Sequence, residues 1–426
     1  MQQVHLLPGL ILGLLFATTC INYIDRQALS LMVPVLRTEL GLTSAAYGTI
    51  TAVFVATYSV GQALAGPLVE RLGVRLALLA AVVVWSLAGM SHALAGGFVG
   101  LLIARILLAI SESVNWPAGT MAVARWFPPH RRASAMGIFD GGSAIGAVIA
   151  APLVTVLTFH AGWRVAFIVT GVFGLAWALA WWRWYYDPQE HPWLDQARRG
   201  AYAAAPPRRG MWSTWGVLFN RPAFWMLFFA RMCATPIWWF YVFWLPDYLG
   251  TGRGLDVLMI GYLAWIPYLT ADLGKIGGGF ASDRLIRGGF AIEKARMLIM
   301  VLGAAGMVCG LLVVSAGSLP EAILWMSVAT AGFGAWSANM LALHADLLPE
   351  SSLASGVGLT GLASGLGGAV SAKIIGGLVD GHGYGAAFTA TGVLALVAAV
   401  IIVGGIISRR VLPVPLDTAS SDKEPT

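Results

Sequence analysis

The chain has 426 residues, of which 58% are hydrophobic and only 11% are charged. Soluble globular domains carry about 25% charged residues, so this composition excludes an ordinary soluble protein and indicates a chain that lies mostly in a bilayer. The formal net charge is +6, but we attribute it to membrane topology and expect no nucleic-acid binding.

Apolar runs of about 20 residues predict membrane-spanning helices, because that length crosses the hydrocarbon core. Twelve runs are found, at approximately 8–36, 46–70, 75–95, 98–124, 135–158, 163–186, 221–249, 257–285, 295–316, 320–346, 354–379 and 385–408. The fold class expected is an all-α membrane protein. The polar stretch at 187–220 divides six spans from six. We therefore predict an N-terminal six-helix bundle at 1–186, a cytoplasmic linker at 187–220, a C-terminal six-helix bundle at 221–409 and a cytoplasmic tail at 410–426.

Two repeated segments relate the halves. The first is Gly66-Pro-Leu-Val-Glu70-Arg71-Leu-Gly73-Val-Arg75 after span two, which recurs as Gly279-Phe-Ala-Ser-Asp283-Arg284-Leu-Ile-Arg287 after span eight. The second runs from 128 to 137 and recurs at 349–358. Since six spans separate the copies, both halves start on the same side, which is the parallel repeat of a two-bundle secondary transporter.

Basic residues predict the orientation, because Lys and Arg concentrate in short cytoplasmic loops. With the N-terminus inside, 18 of the 26 Lys and Arg residues fall at cytoplasmic ends. Both termini are then cytoplasmic in a multi-pass protein, which we place in a bacterial inner (plasma) membrane. The three cysteines, Cys20, Cys233 and Cys309, lie in separate apolar runs and predict neither a disulfide nor a metal site.

Asp25 and Arg26 place opposite charges inside the first apolar run. A charge at this depth is costly and usually faces a partner or a water-filled cavity. Neighbouring helix residues point in different directions, so we expect each to find its partner on another helix. Both are expected to face a shared aqueous cleft.

Span four presents a second polar face. Arg105 and Glu112 lie seven residues apart on it, about 10 Å along the axis, so they cannot touch. Asn115 and Trp116 continue the face one turn on, and Pro117 is expected to bend the helix there.

Together these segments resemble the major facilitator superfamily, whose hallmark loop between spans two and three is similar to residues 66–75. Within it, Asn22-Tyr23-x-Asp25-Arg26, Tyr58-Ser-x-Gly61-Gln62, Glu112-x-x-Asn115-Trp116-Pro117 and Trp126-Phe127-Pro128 resemble the anion:cation symporter family. Pro236-Ile-Trp238-Trp239-Phe240-Tyr241, Ala271-Asp272-Leu-Gly274 and Trp336-Ser-Ala-Asn339 resemble its hexuronate (glucuronate/galacturonate) transporter branch. Two residues depart from the family pattern, Glu70 in place of Asp and Asp140 in place of Asn.

Arginine is suited to bind a substrate carboxylate, because its planar fork donates two hydrogen bonds and stays charged. Arg26 is the first choice for this role. Arg105 is the second, unless it holds Glu112 or a neighbouring helix in place. By resemblance, Asp25 and Glu112 would be the proton-coupling groups. The remaining candidates for substrate binding combine aromatic rings with polar groups: Tyr23, Tyr58, Gln62, Asn115, Trp116, Trp239, Tyr241, Trp336 and Asn339.

The repeated loops are expected to gate the protein through Gly66, Glu70, Arg71, Arg75, Asp283 and Arg284. A carboxylate there would cap a neighbouring helix N-terminus in one conformation and release it in the other. Asp272 and Lys275 are interpreted as a local structural pair, and Arg231 as a side chain that reaches lipid headgroups. Asp140 and Lys373 are left without an assigned role.

These features predict a proton-coupled symporter that imports an organic anion by alternating access, with a hexuronate as the expected substrate. The alternative is another carboxylate, such as an aldonate or a short monocarboxylate. Enzyme motifs such as HExxH are absent from the sequence, so we expect no enzyme and no cofactor besides the coupling protons. A channel or a receptor is the rival class. The chain is expected to act as a monomer in the lipid bilayer.

Overall fold

The structure is a computed structural model that describes residues 2–199, 211–255, 259, 262–263 and 265–408. The helices of the N-terminal half are α1 Gln2–Leu40, α2 Ser44–Leu72, α3 Val74–Ser91, α4 Phe98–Glu112, α5 Asn115–Trp126, α6 Pro129–Ala161 and α7 Trp163–Trp184. The connection between the halves holds the short helices α8 Gln196–Arg199 and α9 Met211–Phe219. The helices of the C-terminal half are α10 Pro222–Asp247, α11 Trp265–Arg287, α12 Ile292–Val308, α13 Leu312–Ser315, α14 Leu319–Leu347, α15 Leu353–His382 and α16 Tyr384–Ile407.

Among the described residues, ten helical segments are long and apolar enough to cross a membrane, with α4 and α5 forming one of them and α12 and α13 another. Two further helices, α11 and α14, lie at the places of the predicted spans eight and ten. The expected all-helical membrane fold is confirmed. The first part of predicted span eight, the middle of the linker and the predicted tail at 410–426 lie largely outside the described residues.

Tight glycine turns set several helix ends. Gly162 ends α6 and precedes α7 with φ +83°, and Gly383 does the same between α15 and α16 with φ +75°. Side chains rarely adopt positive φ, so glycine permits these turns between long helices. Gly162 and Gly383 lie 221 residues apart, at the offset of the second sequence repeat.

Span four is interrupted rather than continuous. α4 ends at Glu112, and α5 begins at Asn115 after a turn at Ser113 and Val114. Pro117 has no N–H to donate to the preceding turn and its ring crowds the carbonyl four residues earlier, which accounts for the break. The predicted bend at Pro117 is therefore a short discontinuity just past Glu112.

The most extensive crossings between the halves are α2 against α15 and α6 against α11. At both crossings a glycine lets the backbones touch. A Cβ on Gly66 would lie 2.3 Å from Ser355 Cα, and one on Gly279 would lie 2.4 Å from the Ala133 carbonyl oxygen. Gly66 and Gly279 are the first residues of the repeated loops, so the two crossings are equivalent under the repeat.

Candidate functional site

Arg26 of α1 and Glu112 of α4 form an ion pair at the centre of the N-terminal half. Arg26 Nη2 lies 2.9 Å from Glu112 Oε2, and Nε donates to the same oxygen at 3.3 Å. Nη2 also lies 3.3 Å from Asn22 Oδ1. The Glu112 side chain is fully buried, whereas that of Arg26 keeps 20% exposure. Arg26 thus has a partner on another helix, as expected, and remains reachable.

Arg105 holds the neighbouring helix rather than Glu112. Its Nη2 donates to the main-chain carbonyl of Arg26 at 3.3 Å, and its guanidinium lies 5.3 Å from the Phe54 ring centroid. Arg105 is 4% exposed. Of the two open roles for Arg105, this geometry matches the positioning of α1 at Arg26.

Three aromatic rings surround the Arg26 guanidinium. The centroids of Tyr58, Tyr23 and Phe54 lie 4.5, 5.0 and 5.4 Å from Arg26 Cζ. Tyr23 also lies within electrostatic range of Lys275, and Tyr58 within range of Arg231, both in the other half. The open side of Arg26 therefore faces the region between the halves. The sequence reasoning missed Phe54, although its position one helical turn before Tyr58 places it on the same face.

Asp25 does not share this space. It is 2% exposed and lies on the side of α1 next to Gly89 of α3 and Thr170 of α7. Neither carboxylate oxygen has a hydrogen-bond partner within the described part of the chain. The expectation of one cleft for Asp25 and Arg26 is wrong, because adjacent helix residues diverge by about 100° and α1 packs on both sides.

Three residues predicted to bind substrate, Asn115 and Trp116 of α5 and Gln62 of α2, take part in helix packing. Asn115 Nδ2 donates to Thr19 Oγ1 at 3.3 Å, and the Trp116 ring meets Phe139 edge-on at 5.1 Å. Gln62 is 5% exposed and lies in the α2–α15 crossing beside Gly358.

Four candidates of the C-terminal half do not surround Arg26. Tyr241 is 1% exposed and packs on Phe240 and Phe388 inside that half. Trp336 is 2% exposed, and Asn339 Nδ2 donates to the carbonyl oxygens of Gly278 and Ala335. Trp239 packs on Gly368 of α15. All three of Tyr241, Trp336 and Asn339 are buried in helix packing, and Tyr241 Oη, Trp336 Nε1 and Asn339 Oδ1 have no hydrogen-bond partner among the described residues.

Trp238, which precedes Trp239 on α10, lies beside Lys275 of α11. It stacks on Phe333 at 5.4 Å and lies 5.8 Å from Lys275 Nζ. Trp238 lies in the segment 236–241 that resembles the hexuronate branch, but it is not among the residues predicted to bind substrate. Helical periodicity places Trp238 and Tyr241 on nearly the same face, so sequence alone could not separate them.

A three-residue charge cluster joins the halves at mid-depth. Lys275 Nζ lies 2.9 Å from Asp272 Oδ1 on the same helix and 3.1 Å from Asp140 Oδ1 of α6. Lys275 and Asp272 form the local pair that was expected, but Asp140 adds a contact across the interface. The departure of Asp140 from the family pattern was the only signal for it.

Two other basic residues, Arg231 and Lys373, lie in helices of the C-terminal half. Arg231 donates to Thr360 Oγ1 at 3.1 Å and to the Val357 carbonyl at 3.4 Å, so it points to α15 and the expectation that it reaches lipid headgroups is wrong. Lys373, also on α15, is exposed.

The repeated loops lie at the linker end of the interface, where each carboxylate meets a helix N-terminus of the opposite half. Glu70 accepts from the Ser355 N–H at 2.7 Å and from its hydroxyl at 2.8 Å, in the first turn of α15. Asp283 accepts from the Ser134 N–H at 2.8 Å and from its hydroxyl at 2.6 Å, in the first turns of α6. Helix N-termini favour negative charge, so both contacts stabilise the closed interface.

The arginines of these loops behave differently. Arg71 and Arg284 are exposed. Arg75 lies over the rings of Trp182 and Tyr186 and donates to the Trp182 carbonyl at 2.7 Å, so it acts within the N-terminal half. The basic residues that do cross the interface were missed, because each is distant in sequence from its partner.

Three arginines outside the repeated loops make further contacts at the linker end. Arg132 Nη1 lies 2.7 Å from Asp346 Oδ1. Arg296, which is fully buried, pairs with Asp283 at 2.6 Å and with Asp346 at 3.2 Å, and donates to the Pro129 carbonyl. Arg125 Nε meets Glu350 at 2.8 Å. The linker end of the molecule is closed in this conformation.

The first part of the linker packs against the N-terminal half. Arg125 Nη1 binds Asp187 Oδ2 at 2.8 Å. His191 is 1% exposed and meets the Trp126 ring edge-on, while its Nδ1 accepts from the Trp193 N–H at 3.2 Å. Burial, together with the guanidiniums of Arg199 and Arg75, lowers the pKa of His191 below its ordinary value.

Two repeated six-helix halves, closed at one end and holding charges at mid-depth, define a secondary transporter. The model of the Major Facilitator Superfamily matches residues 15–372, and the chain belongs to that family. It is therefore a membrane transporter and not an enzyme.

The relatives of this chain include proteins named as sugar-acid transporters. A hexuronate transporter of Escherichia coli (strain K12) is 29% identical over 408 residues, covering 94% of each chain. A D-galactonate transporter of Escherichia coli O6:H1 is 28% identical over 415 residues, covering 93% of this chain and 96% of its own. Among solved structures, a proton:xylose symporter of this superfamily bound to 6-bromo-6-deoxy-D-glucose has a TM-score of 0.75 at 16% identity, covering 93% and 95% of the two chains. Small organic anions are thus the supported class of substrate.

Proposed function

We propose that the protein is a proton-coupled symporter that imports an organic anion, a hexuronate above all, by alternating access. The observation that carries the proposal is Arg26, a guanidinium that keeps 20% side-chain exposure inside a ring of three aromatic side chains and opens toward the interface. Such a group binds a carboxylate through its fork, and the Tyr23 and Tyr58 rings suit the CH faces and hydroxyl groups of a sugar acid.

Glu112 occupies the place that a substrate carboxylate would take. Arg26 Nε and Nη2 both donate hydrogen bonds to Glu112 Oε2. A substrate carboxylate that binds Arg26 would displace this oxygen and leave a fully buried carboxylate without its counter-charge. Such a group is costly unless it takes a proton, so substrate and proton binding would be linked at Glu112.

Asp25 supports a second protonation step. Its oxygens are buried and without a hydrogen-bond partner in the described residues, which makes Asp25 a candidate to bind a proton during transport. Arg105 connects the two sites, because it contacts the main chain at Arg26 and lies within electrostatic range of Asp25. Proton uptake at Asp25 would therefore be sensed near the substrate anchor.

The distribution of basic residues supports an orientation of the protein in the membrane. The linker end carries most of the Lys and Arg residues, which supports a cytoplasmic location for it and for both termini in a bacterial inner membrane. The closed linker end would then make this the outward-facing state, in which external substrate reaches Arg26. One chain supplies both halves, so a monomer would suffice.

The substrate and the coupling ion can be tested together. Purified protein in proteoliposomes should take up D-glucuronate or D-galacturonate when the outside is acidic, and accumulation should collapse when a protonophore is added. An aldonate is the second candidate, supported by the relative that carries D-galactonate in its name. Uptake of lactate or pyruvate alone would indicate that the substrate is a short monocarboxylate and not a sugar acid. Flux without saturation would indicate a channel, and accumulation that persists in the presence of the protonophore would remove proton coupling.

A further inference from the structure

The charge cluster of Asp140, Asp272 and Lys275, hereafter the interface triad, carries one more negative than positive charge. All three residues are over nine-tenths buried, at 5%, 7% and 5% exposure. Both carboxylates contact the same ammonium, at 3.1 and 2.9 Å, so their charged oxygens lie within about 6 Å of each other. Two carboxylates this close in a dry site cannot both keep their charge at low cost.

One carboxylate oxygen of the interface triad has no hydrogen-bond donor among the described residues. Ser143 Oγ meets Lys275 Nζ at 3.2 Å, and the Ser337 hydroxyl donates to Asp140 Oδ2 at 3.3 Å. Asp272 Oδ2, in contrast, is buried and has no partner among the described residues. A buried acceptor without a donor is expensive, and a proton is the smallest ligand that removes the cost.

The groups around the interface triad do not supply the missing positive charge. From α10, Trp238 presents its ring to Lys275, and Arg231 reaches Asp140 only at electrostatic range while bonding to α15. From α1, Tyr23 and Cys20 come within electrostatic range, and both are neutral donors of weak acidity. A metal cation is disfavoured, because Lys275 already brings a positive charge between the two carboxylates.

We propose that the interface triad is a proton-binding site of its own, which holds one proton while the halves are closed and releases it when they part. The proposal rests on the proposed function, because the released proton would add to those of Asp25 and Glu112. Asp140 belongs to the N-terminal half, and Lys275 and Asp272 belong to the C-terminal half. Separation leaves Lys275 paired with Asp272 on one helix and exposes Asp140 to water, so the proton has no reason to stay.

A purely structural clasp between the halves makes a different prediction. Asp140→Asn would remove the cross-interface ion pair and loosen the closed state, whereas Asp272→Asn would keep that pair. A proton site predicts the same result for both variants, because each leaves one carboxylate and one ammonium and removes the excess charge. The two variants therefore separate the roles.

The first test needs no substrate. Infrared pH titration of the purified full chain between about pH 5 and pH 9 should show a protonated-carboxyl band that is smaller by one carboxyl group in Asp140→Asn and in Asp272→Asn than in the wild type. Glu39→Gln is the matched control, because Glu39 is an exposed carboxylate that accepts from Trp163 Nε1 and takes no part in the site. An unchanged band in either variant would overturn the proposal.

The second test counts protons per substrate. In sodium-free proteoliposomes with a trapped pH dye and labelled D-glucuronate, both variants should move one proton fewer per substrate than the wild type. An unchanged ratio, or a wild-type ratio that changes when sodium is added, would refute the proton site. A wild type that couples no protons would refute the proposed symport, and the infrared band would still decide the interface triad.

Discussion

Arg26 and Glu112 are 86 residues apart in sequence, and their ion pair of 2.9 Å joins α1 to the end of α4. The pair sits just before the break that separates α4 from α5, so Glu112 is the last residue of its helix. A residue at a helix end has more freedom to turn than one in mid-helix. The exchange of Glu112 for a substrate carboxylate therefore needs only a local movement.

Arg26→Lys should weaken the binding of the transported sugar acid by at least about tenfold, ~1.4 kcal/mol, because an ammonium lacks the planar fork. Ligand-dependent thermal shift or isothermal calorimetry on purified protein measures this. Arg164→Lys is the control, since Arg164 is half-exposed and pairs only at 3.5 Å with Glu39. Wild-type affinity in Arg26→Lys would remove Arg26 from the binding site.

Asp25→Asn and Glu112→Gln should abolish accumulation driven by a pH gradient while sparing part of the substrate exchange. Each change removes a group that would bind and release a proton, yet both amides keep the size of the side chain. Counterflow and pH-driven uptake in proteoliposomes separate the two activities. Normal pH-driven uptake in both variants would discard the coupling assignment.

Glu70→Ala should slow transport with little loss of affinity, because Glu70 contacts α15 at the linker end, far from Arg26. Loss of a helix cap costs about 1 kcal/mol, which here would fall on the closed state alone. Glu321→Ala is the matched control: Glu321 also accepts a main-chain N–H near a helix start, from Gly317, but within one half. A defect in affinity without a change in rate would contradict gating by Glu70.

Gly279→Ala should disturb the closed linker end, whereas Gly277→Ala should not. A Cβ at Gly279 would meet the Ala133 carbonyl oxygen at 2.4 Å, while one at Gly277 meets nothing within 4 Å. Both residues lie in α11, so the gain in helix propensity, up to about 1 kcal/mol, is shared. Melting temperature and uptake rate should fall for Gly279→Ala only; equal behaviour would mean that the crossing is not tightly packed.

Acidification should loosen the first part of the linker. His191 Nδ1 accepts from the Trp193 N–H. Protonation of Nδ1 would therefore place its new N–H against the N–H of Trp193 and break this hydrogen bond. The pKa of His191 is lower when docked than when free, so docking is strongest above about pH 6.5 and weakens as the pH falls below that value. Protection from hydrogen exchange at 187–199, relative to the intrinsic exchange rate at each pH, should fall between pH 7.5 and pH 5.5, and His191→Gln should abolish the difference. Protection that does not change with pH in the wild type would contradict the role of His191.

Much of the architecture could be predicted because it is local or repeated in sequence. Twelve apolar runs, two copies of a loop and the charges of the first span are visible without coordinates. Arg26 could be singled out because a charge in an apolar run needs a reason. Capping of a helix N-terminus by Glu70 and Asp283 followed from their place at helix ends.

The rest depends on helix rotation and on contacts across the interface. Tyr241 and Trp238 differ by three residues and by less than a fifth of a turn, yet one packs inside a half and the other stacks beside Lys275. The pairs Lys275–Asp140 and Arg132–Asp346 join residues 135 and 214 positions apart. No pattern of spacing within one helix reports such a pair.

Arg125 holds Asp187 of the linker with one nitrogen and Glu350 of the other half with another. These contacts, the two glycine crossings and the buried Arg296 all join surfaces of the two halves. Association of the halves therefore does not depend on their covalent connection. A gene divided after Arg199 should accordingly yield two polypeptides that find each other in the bilayer and reassemble into an active carrier.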